Sequence, residues 1–191
     1  MLSNDLRRFS TLVEDLLEIS RIDAGAAQLD QSAVGIAGLM NAIVRQSRQP
    51  DLVVDFDPDD AELIAEVDKL RIAQVFTNLI DNAINYAGGV ESVSFAAISA
   101  DEVEILVTDR GPGVAEADRR RIFERFTRAA VDAGRRGSSK GAGLGLSLAY
   151  EHVRLHGGTM GVRDRDDGES GAQFFVCLPL AEPIDDEEMA S

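Results

Sequence analysis

The chain has 191 residues and a 45% apolar share, enough for the core of one ordinary domain plus a modest additional element. Its formal charge of -15 argues against a nucleic-acid or anionic-membrane binder, since both need a basic surface. The lone Cys177 excludes a disulfide framework or a thiol metal site, no apolar run approaches the roughly 20 residues of a membrane span, and the charged, amphipathic start does not read as a signal peptide, so a cytoplasmic chain is expected.

Residues 2–24 predict one long amphipathic helix. Leu2, Leu6, Phe9, Val13, Leu16 and Ser20 alternate by four and three, the seam of a coiled coil or helical bundle. Leu12, Leu17 and Ile19 widen that seam, and Gly25 is placed to cap the helix. Such a helix needs a partner, either its own domain or a second copy, and the clean seam favours self-association. After a short extended piece at Val34, the spacing of Ile36, Leu39, Met40, Ile43 and Val44 predicts a helix over 36–48, ended by Pro50. Strands are expected at 52–56 and 63–67, around a turn at Asp57-Pro58-Asp59-Asp60.

Asp68 then reads as the N-cap of a helix over 69–87, closed by Gly88-Gly89. Ile72, Val75, Phe76, Leu79 and Ala83 make its apolar face. Asn78 and Asn82 project together from a second face, which Asn85 and Tyr86 continue one turn on. Asn is a poor helix-interior residue. This row is either a solvated polar face or a set of amide oxygens suited to Mg²⁺, which is held through one or two protein groups plus substrate phosphates.

Strands follow at 90–98 and 103–108, the second running into Asp109-Arg110-Gly111-Pro112-Gly113, an ordinary turn or a close backbone approach to a ligand. Residues 114–140 read as a helix start, a patch with Phe123 and Phe126 among Arg119, Arg120, Arg121, Arg125 and Arg128, and a small, glycine-rich loop. Gly141-Ala142-Gly143-Leu144-Gly145-Leu146 leads straight into a helical pattern over 144–156. A glycine turn at a helix N-terminus offers unpaired N–H groups and the positive end of the dipole, a ready phosphate site. It is neither a dinucleotide fingerprint nor a P-loop, because no strand leads into it and no Gly-Lys-Ser/Thr follows. His156-Gly157-Gly158 ends the helix, strands are expected at 159–164 and 172–180, and 182–191 reads as an acidic disordered tail.

The order of these four motifs resembles the GHKL ATPase superfamily, and specifically the catalytic ATP-binding domain of bacterial sensor histidine kinases. Leu16 to Gly25 is similar to the end of that family's second dimerisation helix. The resemblance implies three units: a dimerisation helix over 1–27, the ATP-binding domain over 28–181, and the tail. It implies Mg²⁺ held by Asn82 with Asn78 supporting its waters, and Tyr86 near the adenine or ribose. The Asp109 carboxylate would accept from the adenine amino group, Gly111 and Gly113 would let the purine pack close, and Gly141, Gly143, Leu144 and Gly145 would hold the phosphates. Arg125 or Arg128 would meet the γ-phosphate, giving a catalytic set of Asn78, Arg125 and Arg128. Asn85 and Ala142 depart from the basic residue and threonine common there.

The expected activity is transfer of the γ-phosphoryl group of Mg·ATP to a histidine and onward to a response-regulator aspartate. That histidine is absent from this sequence, and His152 and His156 are not substitutes, so the chain is expected to bind ATP or ADP without autophosphorylating. Expected partners are a second copy through residues 2–24 and a receiver domain, with no nucleic acid and no membrane contact by this segment, which would be cytoplasmic or the cytoplasmic portion of a membrane-bound sensor. The alternatives are a nucleotide-gated dimerisation scaffold and an anti-sigma-type GHKL serine kinase. The fold expected is a two-layer α/β (α+β) sandwich. A mixed, mostly antiparallel sheet is drawn from 52–56, 63–67, 90–98, 103–109, 159–164 and 172–180. Three helices, 36–48, 69–87 and 144–156, lie on one face, with the other face mainly solvated.

Overall fold

The computed structural model describes residues 2–127 and 143–181. A 22-residue helix, α1 (Leu2–Asp23), leads into a strand β1 (Ser32–Gly35) and helix α2 (Ile36–Gln46). The strands β2 (Val54–Asp55) and β3 (Ile64–Val67) precede α3 (Lys69–Tyr86). The strands β4 (Val90–Ala97) and β5 (Glu102–Asp109), helix α4 (Gly145–Leu155), and the strands β6 (Thr159–Arg163) and β7 (Gln173–Pro179) complete the order.

The main sheet has five strands in the order β2-β4-β5-β7-β6, antiparallel except where β2 runs parallel to β4. The helices α2, α3 and α4 supply the inner layer. From α3 the expected apolar stripe (Ile72, Val75, Phe76, Leu79 and Ala83) is 0–1% exposed, and it meets Val93, Val103, Ile105, Val107, Phe174 and Val176 of the sheet. Alternation sets this face, because a strand's side chains point to opposite sides with period two.

Three expectations are corrected. The segment 63–67 does not join the main sheet: β3 pairs antiparallel with β1, Val34 opposite Ala65, in a separate two-stranded ribbon. Residues 114–123 form two short 3-10 turns, Glu116–Asp118 and Arg121–Phe123, rather than the start of an α-helix. Ile122 is the only buried side chain in these turns, too little apolar surface to hold a longer helix down. The strand expected over 52–56 shrinks to two residues. The outer face of the sheet is mostly polar, as expected, but Leu106 and Phe175 lie half-buried across it. Arg163 spreads over the Phe175 ring at 5.5 Å while forking onto Glu104 with two 2.9 Å bonds.

The flank of β4 outside β2 is met by side chains. The Gln49 amide donates to Val90 O at 3.2 Å and accepts from Val90 N at 2.6 Å. Farther along, Ala97 N donates to Asp60 Oδ1 at 3.4 Å.

The N-terminus of α3 is fixed from three sides. The Asp68 carboxylate accepts from Leu70 N and Arg71 N, each at 3.1 Å, and from Asp30 N at 3.1 Å. Burial pushes this acid up, but these N–H donors, aided by the charge of Arg71, outweigh it and hold the group below the usual carboxylate range. Asp68 N donates to His156 Nε2 at 3.0 Å, and the other ring nitrogen, Nδ1, meets His152 O at 2.7 Å. That pair of partners assigns the neutral Nδ1–H tautomer and gives His156 a structural role, tying the end of α4 to the start of α3.

The helix α1 lies against the body by its C-terminal half. Ile19 is buried with Leu144 and Leu148, and Leu12 and Ile22 flank them. Glu18 pairs with Arg71, and Asp23 with Arg125 at 2.5 Å. The other apolar positions, Leu6, Phe9, Val13, Leu16 and Leu17, are 39–73% exposed. One helix therefore has both a seat on its own domain and an uncovered apolar face. Among the described residues no helix is long and apolar enough to cross a membrane.

Candidate nucleotide site

The polar face of α3 is bounded at both ends by glycine turns. At one end Asn78 Nδ2 donates to Gly145 O at 3.0 Å, joining mid-α3 to the first residue of α4. At the other, the turn after β5 lies on the last residues of α3: a Cβ on Gly111 would sit 2.8 Å from Ala87 Cβ. Nine residues separate Asn78 from Ala87, about 14 Å along the helix axis at 1.5 Å per residue. Asn82, Asn85 and Tyr86 occupy that interval. Asn82 is half-buried and makes no side-chain hydrogen bond among the described residues.

The α4 end has the features of an anion site. The helix begins at Gly145 with Leu144 at the cap position and no side-chain cap bond, and no acidic residue stands in its first turn. Ser147, which could have capped it, instead donates its hydroxyl to Leu144 O at 2.9 Å. Among the described residues no side chain takes the first-turn N–H groups, which with the positive end of the helix dipole suit an anionic ligand. Gly143 holds the turn. Its φ is 74°, its carbonyl accepts from Phe126 N at 3.0 Å, and a Cβ would come within 2.9 Å of Thr127 O. Leu144, between the two glycines, is 1% exposed and packs backward onto Ile19 of α1.

At the other end Asp109 is 5% exposed. Its Oδ1 accepts from Gly111 N at 2.7 Å and from Ala172 N at 3.2 Å, while its own N–H donates to Ala172 O at 2.9 Å. Burial pushes its carboxyl upward, and the two N–H donors and the nearby Arg165 oppose that shift. Oδ2 has no partner among the described residues, so a buried carboxylate presents one free acceptor oxygen. Gly113 lies close to the next strand, where a Cβ would sit 2.9 Å from Gly171 O.

The structure thus brings Asn78, Asn82, Tyr86, Asp109, Gly111, Gly113, Gly143, Leu144 and Gly145 to one polar face and its two end turns. Gly141 and Arg128 lie outside the described residues, as does the small, glycine-rich loop expected before Gly141. Arg125 departs from its expected place: both terminal nitrogens fork onto the Asp23 carboxylate of α1, at 2.5 and 2.6 Å, rather than standing free for a phosphate. Phe123 packs against Tyr150 and edge-on against Phe174, whereas Phe126 is 63% exposed at φ 60°. Sequence reasoning missed Glu91 and Arg165, which lie beside the Asp109 backbone. No motif marks them, since each comes from a different strand or loop.

The family of histidine kinase-, DNA gyrase B-, and HSP90-like ATPases matches residues 67–182. The chain is 36% identical over 176 residues to the signal transduction histidine-protein kinase AfsQ2 of Streptomyces coelicolor, covering 92% of this chain and 31% of that protein. It is 37% identical over 186 residues to the sensor histidine kinase MtrB of Mycobacterium leprae, covering 94% and 32% respectively. The chain therefore spans about a third of the length of these relatives. Among solved structures, full-length ShkA in complex with AMPPNP superposes with a TM-score of 0.71 at 29% identity, over 90% of this chain and 35% of that one. The ATP-binding domain of PrrB from Mycobacterium tuberculosis superposes with a TM-score of 0.59 at 28% identity, over 80% of this chain and 99% of that one. On these matches the chain belongs to the histidine kinase-, DNA gyrase B-, and HSP90-like ATPases, and within them to the ATP-binding catalytic domains of sensor histidine kinases.

Proposed function

We propose that this domain binds Mg·ATP along α3, with the purine at the Asp109 turn and the phosphates at the N-terminus of α4, and that it donates the γ-phosphoryl group to a histidine for relay to a response-regulator aspartate. The observation that carries this reading is the pairing of an uncapped helix N-terminus with a buried, half-satisfied carboxylate at opposite ends of one polar helix face. Each end suits one end of the nucleotide. The free Oδ2 of Asp109 accepts from the adenine amino group. Gly111 and Gly113 admit the ring, with Tyr86 beside the adenine or ribose. The N–H groups at Gly143, Leu144 and Gly145 hold phosphate oxygens.

The donor set fits Mg²⁺. An amide oxygen from Asn82, with Asn78 behind it, is the sparse, hard-ligand site that this ion takes when phosphates supply the rest. When bound, the ion would offset charge on the transferring phosphoryl group. Asn78 keeps its place by its bond to Gly145 O, so the metal face and the phosphate turn are registered to each other. Arg125 reaches a phosphate only after leaving Asp23, which couples release of α1 to the catalytic arrangement.

The uncovered apolar face of α1 supports self-association of two copies through residues 2–24, with a receiver domain as the downstream partner. A nucleotide-gated scaffold without transfer uses the same pocket, and the seat of α1 on Leu144 is the observation that favours it. Calorimetric titration of a non-hydrolysable ATP analogue into wild type and Asn82→Ala, each with and without Mg²⁺, tests the binding site. Wild-type binding is expected to require the metal and the variant to lose that dependence. An equal metal dependence in both proteins refutes the role of Asn82. Transfer of label from ATP to a separately supplied helix bearing the acceptor histidine separates kinase from scaffold.

A further inference from the structure

At the backbone of Asp109 a buried arginine joins three segments. Arg165, in the connection between β6 and β7, is 8% exposed. Its guanidinium donates to the backbone carbonyl of Asp109 at 3.2 Å and to Glu91 near the start of β4. It also forks onto Asp167, with Nε to Oδ1 at 3.0 Å. Glu91 is shared with Arg110, at 2.6 Å, and these two arginines hold its carboxyl down to about 2. Gly171 completes the packing. Its φ is 148°, and a Cβ there would overlap Asp109 O and come within 2.7 Å of Arg165 Cδ.

Burying a guanidinium is costly unless it is paired and fully bonded. Here two carboxylates and one carbonyl satisfy it, and that carbonyl belongs to the residue whose side chain faces the purine.

We propose that Arg165 is the positioning residue that sets purine specificity: with Glu91 it clamps the Asp109 backbone so that the free carboxylate oxygen meets an exocyclic amino group. This rests on the reading of Asp109 as the adenine contact. Two physical effects act together. The clamp fixes the register of the β5 end against the β6–β7 loop, so Gly111 N and Ala172 N both engage Oδ1 and leave Oδ2 to the ligand. Burial leaves the Asp109 carboxyl raised, and the nearby positive charge of Arg165 opposes that push, on the side of the ionised acceptor that makes the stronger bond to an amino donor. A nucleotide with a carbonyl oxygen in place of the amino group would set acceptor against acceptor and be rejected.

The experiment compares the affinities of ADP and inosine diphosphate, with Mg²⁺, for wild type, Asp109→Asn, Arg165→Lys and Arg165→Met. All are measured below their melting temperatures. Wild type is expected to prefer ADP at least tenfold. Arg165→Met should shrink that ratio to within about threefold of unity while binding inorganic tripolyphosphate as wild type does, and Arg165→Lys should fall between. An Arg165→Met protein that melts earlier but keeps the wild-type ADP preference shows a merely structural role and overturns the proposal. Should Arg165→Met fail to fold, Arg165→Lys and Glu91→Gln are read by the same ratio and decide the matter. If wild type itself shows no preference, or Asp109→Asn keeps it, the adenine contact at Asp109 is wrong, which is distinguishable from Arg165 alone being wrong.

Discussion

Replacing Ile19 with alanine should release α1 from the body without unfolding the sheet. Ile19 is 5% exposed and sits with only two other fully buried residues, Leu144 and Leu148. Isoleucine-to-alanine changes in cores cost about 2–5 kcal/mol, and so small a cluster, open on one side, belongs at the low end, about 2 kcal/mol. The two ion pairs along the same contact are weaker supports. Asp23 and Arg125 are exposed and screened, and Glu18 with Arg71 is only partly covered. At 1.4 kcal/mol per decade, 2 kcal/mol corresponds to an about 30-fold larger population of the released helix. Amide hydrogen exchange reads this directly, because local opening sets the exchange of α1 while global unfolding sets that of the central strands. The C-terminal half of α1 should exchange about 30-fold faster in the variant, with β5 and β7 unchanged. Raising salt in wild type should have a smaller effect than the substitution. Unchanged exchange of α1 would refute the claim that Ile19 anchors it, and equal acceleration of β5 and β7 would show that helix and sheet unfold as one unit.

His152 gives a pH signature to the same contact. It is 1% exposed, neither ring nitrogen has a hydrogen-bond partner among the described residues, and Glu18 lies 3.4 Å from Nε2 at the wall of a cavity of about 290 Å³ that Arg21 and Arg71 also line. Burial, then the charge of Arg71, with Asp68 opposing, push it down to about 4. Since the folded value lies below the unfolded 6.5, the stability it contributes is complete above pH 6.5 and is lost as pH falls towards 4, by about 3 kcal/mol between pH 7 and pH 4. His152→Leu should flatten the acid limb of the stability curve by that amount, and parallel curves for the two proteins would count against it. Gly171→Ala should destabilise by more than about 3 kcal/mol, from backbone strain at positive φ plus overlap with Asp109 O, read as a fall in thermal midpoint. A shift of only a degree or two would mean that the loop relaxes freely.

The parts of the site legible in the sequence are those whose chemistry is local. Asp68 caps α3 through bonds to residues two and three positions on, and the glycine turn at 143–145 announces its helix directly. The parts that were not legible depend on distant pairings. The ribbon of β1 with β3 joins segments about 30 residues apart, each only four residues long, and the period-two signal in four residues is too short to say which sheet a strand joins. Arg125 looked free for phosphate because its partner, Asp23, is 102 residues away. Arg165 carries no motif, and in the sequence Arg-Asp-Arg-Asp-Asp it reads as an ordinary solvated loop. Only the fold reveals that one of its two arginines is buried.

The strand order has a consequence for how copies of this domain can meet. An open strand flank is a template for another chain, and in this sheet the outer strands are short: two residues in β2 and five in β6. The longer β4 would be vulnerable beyond β2, but the Gln49 amide occupies Val90 as a neighbouring strand would, and Asp60 takes Ala97 N. Backbone recruitment by strand addition is thereby blocked at both ends of β4, at the cost of two polar side chains and no extra secondary structure. The apolar stripe of α1 is open by contrast, and a contact made there would be selected by side-chain complementarity rather than by indiscriminate backbone pairing.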